Sequence, residues 1–253
     1  KNLLIILILV FSSSATLSRE PGETEITTEE GIEVFQNEKY YLLKKNVRIV
    51  SDEFTLLGDL IKIYFGEDLY DIKLIDAKGN VDLISIENNI KANGSELTFE
   101  VDSEEIVIKG ENSELYTNNT EMFSNGVIKV SNLEGSFNIN GPKSRLVSED
   151  IEIIGNYIDG SFEIINGRKE FKLLKVIDDK IAFIKTDNTE MFAKLIDYKK
   201  NLSLIELEND VKIIRNGETV TGDYGTLDTK TNSYKIKSKN SNKVKVVIKN
   251  NDE

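Results

Sequence analysis

The sequence contains no cysteine and no histidine among its 253 residues. Without cysteine there is no disulfide, no thiol nucleophile and no thiolate metal site, and without histidine the commonest general base and metal ligand are missing. We therefore expect a protein that is not an enzyme and that needs neither a metal nor another cofactor. Proline is also scarce, with only Pro21 and Pro142, which favours long uninterrupted pairing of strands.

Positively charged residues are also few. The 32 Lys and Arg are outnumbered by 44 Asp and Glu, so the net charge is −12. Phosphate binding needs a net basic surface, so we expect no nucleic-acid partner. Hydrophobic residues make up 39% of the chain and include 11 Phe and 9 Tyr, which is enough for a large apolar core or groove. The length suits one large β domain or two smaller ones.

The first fifteen residues have the layout of a secretory signal peptide. Lys1 is followed by nine apolar residues, Leu3–Phe11, and then by small polar residues with a predicted cleavage site after Ala15. Nine apolar residues are too few for a membrane span, which needs roughly 20. An uncleaved anchor or a core strand are the alternatives. We expect a protein exported to the periplasm, with a flexible lead-in over residues 16–31 and a disordered tail over 249–253.

A repeated hairpin pattern organises the rest of the chain. In Val211–Ser238 an Asn216-Gly217 turn joins two alternating runs, a signal for a hairpin with a type I′ turn. The second run is predicted to end at Gly222-Asp223. Similar units start at Val47 and Val81. In the units at Val47 and Val211 the valine precedes a glycine by 11 positions, and in the unit at Val81 it precedes a glycine by 13. Hairpins with one apolar face must stack to bury it.

The pattern predicts an all-β fold over residues 32–248, built from repetitive antiparallel strands and densest in repeats at 46–110 and 205–238. Residues 170–200 carry the repeat least well. Within them, Thr189–Tyr198 fits either a helix or a strand, and its β-like neighbours favour a strand.

Alternation along the strands places apolar side chains on one face and polar side chains on the other. The apolar face forms either a sealed core between sheets or the wall of an open groove, and the sequence leaves both alternatives open. If the groove exists, its candidate lipid-contacting residues are Val47, Ile49, Leu56, Ile61, Ile63, Phe65, Val81, Leu83, Leu97, Phe99, Phe137, Ile139, Val211 and Ile213.

The repeats resemble those of the LptA/OstA family of lipopolysaccharide-transport proteins. The matching sets are Asn46–Ile49 with Gly58-Asp59, Gly79–Leu83 with Gly94–Leu97, and Asp210–Ile213 with Gly222–Tyr224. The resemblance implies a twisted, partly open β-jelly-roll with an apolar groove that carries the acyl chains of lipopolysaccharide across the periplasm. It also implies edge-to-edge self-association and contacts with an inner-membrane anchor protein and an outer-membrane barrel.

The acidic net charge would repel an anionic headgroup, so we expect acyl chains inside and the phosphorylated headgroup in solvent. The predicted docking edges are the first strand after Gly31 and the last strand, near Val244–Ile248. Two alternatives remain: a membrane-anchored LptC-like component of the same pathway, and a structural or adhesive envelope protein with a sealed core.

Overall fold

A computed structural model describes residues 20–69, 71–86, 89–117, 119–148, 151–166, 168–186, 188–239 and 243–248. The predicted signal peptide (1–15), the start of the lead-in (16–19) and the predicted tail (249–253) lie outside the described residues. The described part consists of strands, turns and one short 3₁₀ turn, Lys200–Leu202, which confirms the prediction of an all-β fold. Its strands are β1 Glu25–Thr27, β2 Gly31–Phe35, β3 Tyr40–Val50, β4 Phe54–Phe65, β5 Ile72–Ser85, β6 Ile90–Glu100, β7 Glu105–Lys109, β8 Ser113–Tyr116, β9 Thr120–Ser124, β10 Val127–Ser131, β11 Ser136–Asn140, β12 Arg145–Ser148, β13 Ile151–Ile154, β14 Tyr157–Ile165, β15 Arg168–Thr186, β16 Thr189–Lys199, β17 Leu204–Arg215, β18 Glu218–Asp228, β19 Ser233–Lys237 and β20 Lys245–Ile248.

The longest strands bend at β-bulges and so belong to two layers. In β3 the ladder is interrupted at Lys45 and Asn46, which have φ of 62° and 48°, and it resumes where Val47 pairs with Gly58. The part of β3 before this bulge pairs with β2, and the part after it pairs with β1. A bulge adds a residue to one strand and sharpens the local bend. Bulges of this kind recur in β5, β15 and β17.

The strand pairings on either side of these bends define two layers, which we call sheet one and sheet two. All described strand pairs are antiparallel. Each sheet has fourteen strand segments. The order in sheet one is β2, β3 (40–44), β4 (60–65), β5 (72–78), β6 (96–100), β7, β10, β11, β14, β15 (168–177), β16 (195–199), β17 (204–208), β18 (224–228) and β19. The order in sheet two is β1, β3 (47–50), β4 (54–57), β5 (81–85), β6 (90–94), β8, β9, β12, β13, β15 (182–186), β16 (189–193), β17 (211–215), β18 (218–222) and β20.

The two sheets meet along one side, which we call the seam, where the chain crosses from one sheet to the other. In the middle of the molecule short loops make this crossing, and buried serines bind the loop backbone. Ser144 Oγ donates to Gly141 O at 2.8 Å and lies 3.0 Å from Ser124 Oγ, which contacts Asn140 O at 3.1 Å. These serine hydroxyls give hydrogen-bond partners to the backbone carbonyl oxygens that point inward at the crossing. Most hairpin turns lie on the opposite, free side, which we call the mouth.

A continuous apolar core fills the space between the sheets. Because side chains alternate along each strand, one face of each sheet supplies this core and the other faces solvent. The predicted strand at Thr189–Tyr198 is confirmed as β16, and the Asn216-Gly217 turn is confirmed by φ of 48° and 80° at its two residues. The end predicted at Gly222 is wrong, because β18 runs unbroken through it to Asp228 and the bend comes from a bulge in β17.

Two further findings concern the predicted lead-in and the weakly repetitive segment. Glu25–Thr27, inside the predicted flexible lead-in, form β1 and pair with β3. The weakly repetitive segment 170–200 contains most of β15 and β16, which pair with each other and extend both sheets without interruption.

Candidate functional site

The predicted groove residues all lie on the inner faces of the two sheets. Twelve of the fourteen are buried, with exposed fractions of 7% or less, and Leu83 and Phe99 are half-buried against the same core. The structure therefore brings these residues together between the sheets, where they pack on one another. Contact between them and a lipid stays a prediction, because it requires the apolar packing between the sheets to open.

An opening into this interior is found at the mouth, between residues of β12, β13 and β15 on one side and β15, β16 and β17 on the other. It is a pocket of about 380 Å³, which we call the mouth pocket. Ile184 and Ile205 form its deepest walls and are at most 2% exposed. Ile151, Phe171 and Tyr198 complete the apolar lining, and all three pack on the main core. The volume falls in the range of small-molecule sites.

The mouth pocket is positioned by a change of register between β14 and β15. The pairing shifts where Ser161 faces Leu173 and Phe162 faces Phe171, which leaves Lys172 out of the ladder. On the C-terminal side of the shift, Leu174 and Val176 point inward. On its N-terminal side Phe171 points inward, whereas unbroken alternation would place Glu170 there. A one-residue slip exchanges the two faces of a strand. It therefore also places Lys169 on the inner face.

Lys169 is the unusual residue of this pocket. Its Nζ donates to Asn132 Oδ1 at 3.1 Å and lies 4.6 Å from the centroid of the Phe162 ring. Among the residues that the structure describes, no carboxylate forms an ion pair with it. Burial lowers the pKa of Lys169 from its ordinary value, because the charged ammonium has lost part of its hydration.

Lys200, on the outer side of the same rim, has the opposite environment. Its Nζ contacts Glu170 Oε2 at 2.5 Å and Glu163 Oε1 at 3.1 Å. Hydrogen bonding to these carboxylates, first Glu170 and then Glu163, raises the pKa of Lys200. The two carboxylates thus compensate the positive charge of Lys200. Among the described residues, Lys169 is the cation of the pocket that has no acidic partner.

The sequence reasoning found the core but missed the mouth pocket. None of the five apolar lining residues was among the predicted groove residues, and three of them, Phe171, Ile184 and Tyr198, belong to the weakly repetitive segment. A signal was present in the sequence, since the break in the repeat at 170–200 coincides with the altered register. The shift itself depends on pairing with β14, which local periodicity does not reveal.

The ends of the two sheets expose apolar side chains on their edge strands. In β2, Ile32 and Val34 are 48% and 47% exposed, and in β20 Val247 and Ile248 are 49% and 67% exposed. These two strands are the predicted docking edges. The structure shows two further edge strands, β1 at the same end of the molecule as β2 and β19 at the same end as β20. Within the described residues, no helix is long and apolar enough to cross a membrane.

Comparison with solved structures finds a likeness to the crystal structure of LptH, the LptA homologous periplasmic component of the conserved lipopolysaccharide transport device from Pseudomonas aeruginosa. The match has a TM-score of 0.43 and 14% sequence identity, and it covers 52% of this chain and 95% of LptH. The likeness concerns the fold alone. No family model and no curated protein matches the sequence.

Proposed function

We propose that this protein is a non-enzymatic carrier that shelters the acyl chains of lipopolysaccharide between its two sheets during transit across the periplasm. The observation that carries the proposal is the mouth pocket, which opens from solvent onto the apolar interior between the sheets. Its walls at Ile184 and Ile205 continue directly into the core, so an alkyl chain that passes the polar rim of the pocket reaches apolar side chains.

The energetics favour this cargo. Transfer of acyl chains out of water is favourable by about 25 cal/mol per Å² of buried apolar surface, and it requires no directional chemistry from the protein. The net charge of −12 disfavours a fully engulfed anionic headgroup. The acyl chains therefore enter the interior, and the phosphorylated sugar stays at the mouth in contact with water.

The edge strands supply the proposed partners. Exposed strand edges with apolar side chains are templates for β-augmentation. Second copies of the chain, and the inner-membrane anchor and outer-membrane barrel of the pathway, would dock at β1 and β2 at one end and at β19 and β20 at the other. Such docking would extend both sheets, and with them the apolar interior, from one subunit to the next.

Photo-crosslinking tests the carrier function. A benzophenone amino acid replaces Phe171 in the mouth pocket or Phe99 on the inner face, and it replaces Phe123, whose ring lies on an outer face under Arg145, as the matched control. In cells that export the chain, we expect ultraviolet-dependent lipopolysaccharide adducts at positions 171 and 99 and none at 123. Absence of adducts from both inner positions in a folded protein would contradict the proposal.

A structural envelope protein with a sealed core is the second candidate, and the burial of twelve predicted groove residues favours it. The same experiment separates the two functions. A sealed core excludes lipid from position 99 as well as from 171, whereas a carrier exposes both to its cargo.

A further inference from the structure

We propose that Lys169 is a subsite for the phosphate of an anionic lipid whose alkyl chain occupies the mouth pocket. This inference rests on the proposed carrier function and adds to it the position and the chemistry of headgroup recognition. It places a specific charged contact on the largely apolar inner surface of the protein, at the point where that surface meets solvent.

A lysine at this position of the inner face costs free energy. Lys169 lies on the inner face of β15, where the neighbouring inward side chains Phe171, Leu174 and Val176 are apolar. Lys169 is half-buried, so its ammonium group loses part of its hydration, and a charge that loses hydration is ordinarily paired. Its observed partners, the Asn132 amide oxygen and the Phe162 ring, carry no net charge. An incoming anion would supply a counter-charge that the described residues do not provide.

Two other lysines on strands lie over aromatic rings but differ from Lys169 in their surroundings. Lys62 lies 5.0 Å from the centroid of Tyr40, and Lys212 lies 5.1 Å from that of Phe192. Both lysines alternate with buried residues and therefore occupy outer faces, where water hydrates the ammonium. Lys169 makes the same kind of contact on the inner face and beside a pocket. Packing of the lysine stem on an aromatic ring alone does not account for this placement.

A phosphate suits the site better than a carboxylate does. A phosphate monoester carries about −1.5 to −2 charge and three strong acceptor oxygens, so it is the stronger partner for the point charge of a lysine. The apolar walls Ile151, Ile184 and Ile205 lie in the same pocket and define where the chain of the ligand goes. Lys200, the other lysine of the pocket, already forms an ion pair with Glu170 at 2.5 Å and therefore does not serve as the phosphate-binding cation. The geometry therefore points to one phosphate at Lys169 and one alkyl chain behind it.

Ligand competition on the purified full chain tests the subsite. Hexadecyl phosphate and the uncharged hexadecanol displace a neutral fluorescent probe, N-phenyl-1-naphthylamine, below their aggregation limits. We expect the wild type to bind the phosphate about tenfold more tightly than the alcohol, because a hydrogen bond to a charged group adds to the affinity. Lys169→Gln should abolish this preference by lowering the affinity for hexadecyl phosphate about tenfold. Lys169→Arg, which keeps the charge, should retain it.

Lys175→Gln is the matched control, because Lys175 is an exposed outward residue of the same strand. It should bind both ligands as the wild type does. Thermal unfolding verifies that each variant folds, and Lys169→Gln should melt no lower than the wild type, since it removes a desolvated charge. A diazirine-labelled hexadecyl phosphate should give adducts at Ile151, Ile184 or Ile205, and adducts confined to other strands would overturn the assignment.

The outcomes distinguish the subsite from the carrier function. If Lys169→Gln keeps the preference for the phosphate, the subsite is wrong while binding of the alkyl chain still stands. If hexadecanoate binds as tightly as hexadecyl phosphate, the assignment to phosphate is wrong. If the wild type binds none of the three ligands, the carrier function fails, and the subsite fails with it.

Discussion

Val211 lies directly opposite Gly222, immediately after the bulge formed by Asn209 and Asp210. The two upstream hairpins repeat this arrangement, each with a valine that follows a bulge and faces a glycine. The valine-to-glycine spacing of the sequence repeat is therefore the register of a bent hairpin. It marks the place where each long strand passes from one sheet to the other.

The structure predicts different sensitivities at equivalent glycines of this repeat. A Cβ added at Gly222 would lie 2.4 Å from Ile236 Cγ2 and 2.8 Å from the backbone oxygen of Lys237, whereas at Gly58 the nearest atom is Ile61 Cγ1 at 3.3 Å. We expect Gly222→Ala to lower the free energy of unfolding by about 1–3 kcal/mol and Gly58→Ala to lower it by less than about 1 kcal/mol. Urea denaturation of both variants checks this, and equal losses would contradict it.

The buried serines of the seam should contribute to stability as a coupled pair. Ser124→Ala removes the acceptor of the Gly126 N–H bond and the partner of Ser144. Leaving buried polar groups unsatisfied costs about 1–3 kcal/mol, and we expect a loss of that size. Ser144→Ala should show a comparable loss, with a double variant less unstable than the sum. Ser136→Ala, which removes only an exposed bond to Glu134, is the control and should fall within about 0.5 kcal/mol of wild type. Strict additivity of the two seam variants would contradict the coupling.

A pH dependence is expected from Glu206 on the outer face of sheet one. Hydrogen bonds from Lys199 at 3.0 Å and Tyr224 at 2.9 Å lower the pKa of Glu206 below its ordinary value of 4.5. A lowered carboxylate pKa stabilises the fold above the unfolded-state pKa, and this stabilisation is lost as the pH falls through the folded-state pKa.

Glu206→Gln should therefore reduce stability at pH 7, by less than about 1 kcal/mol because solvent screens this partly exposed pair. The difference from wild type should vanish in acid, where both side chains are neutral. Thermal melts from pH 7 down to pH 2 check this. Glu67→Gln, in an exposed turn, should match the wild type throughout, and a difference between Glu206→Gln and wild type that persists in acid would refute the assignment.

Self-association should depend on the exposed edge strand β20. Val247→Lys places a charge on this edge, and charged edge residues oppose pairing between chains. We expect the wild-type mass to rise with concentration in light scattering and the variant to need about tenfold higher concentration, for a loss of roughly 1.4 kcal/mol. Leu133→Lys, at a turn where leucine is 68% exposed, is the control and should associate like the wild type. Equal association by all three proteins would exclude β20 as the interface.

The sequence contains enough information to predict the strands and their inner faces. Alternation identifies residues such as Ile61, Ile63 and Ile213 as inward, and the buried positions agree. These predictions succeed because the period of two is a local property that survives in every hairpin. The Asn216-Gly217 turn is equally local, since its geometry demands two residues that tolerate positive φ.

The mouth pocket was beyond sequence reasoning because it depends on a change in pairing. Read by alternation from Leu174, Glu170 is expected to point inward and Lys169 outward. The bulge opposite Ser161 reverses that assignment, and a bulge is set by both strands together. The degree of packing between the sheets is likewise a tertiary property, so alternation fixes which face is apolar but not how tightly it closes.

The bent hairpin also makes length an adjustable property of this architecture. Each bent hairpin of two long strands adds two segments to each sheet, and fourteen segments spaced about 4.8 Å apart give an apolar interior roughly 60 Å long. Insertion or loss of one hairpin would lengthen or shorten this interior by a fixed step without altering its cross-section. The reach of such a protein can therefore change by duplication of a unit of about thirty residues, while the chemistry along its inner surface stays the same.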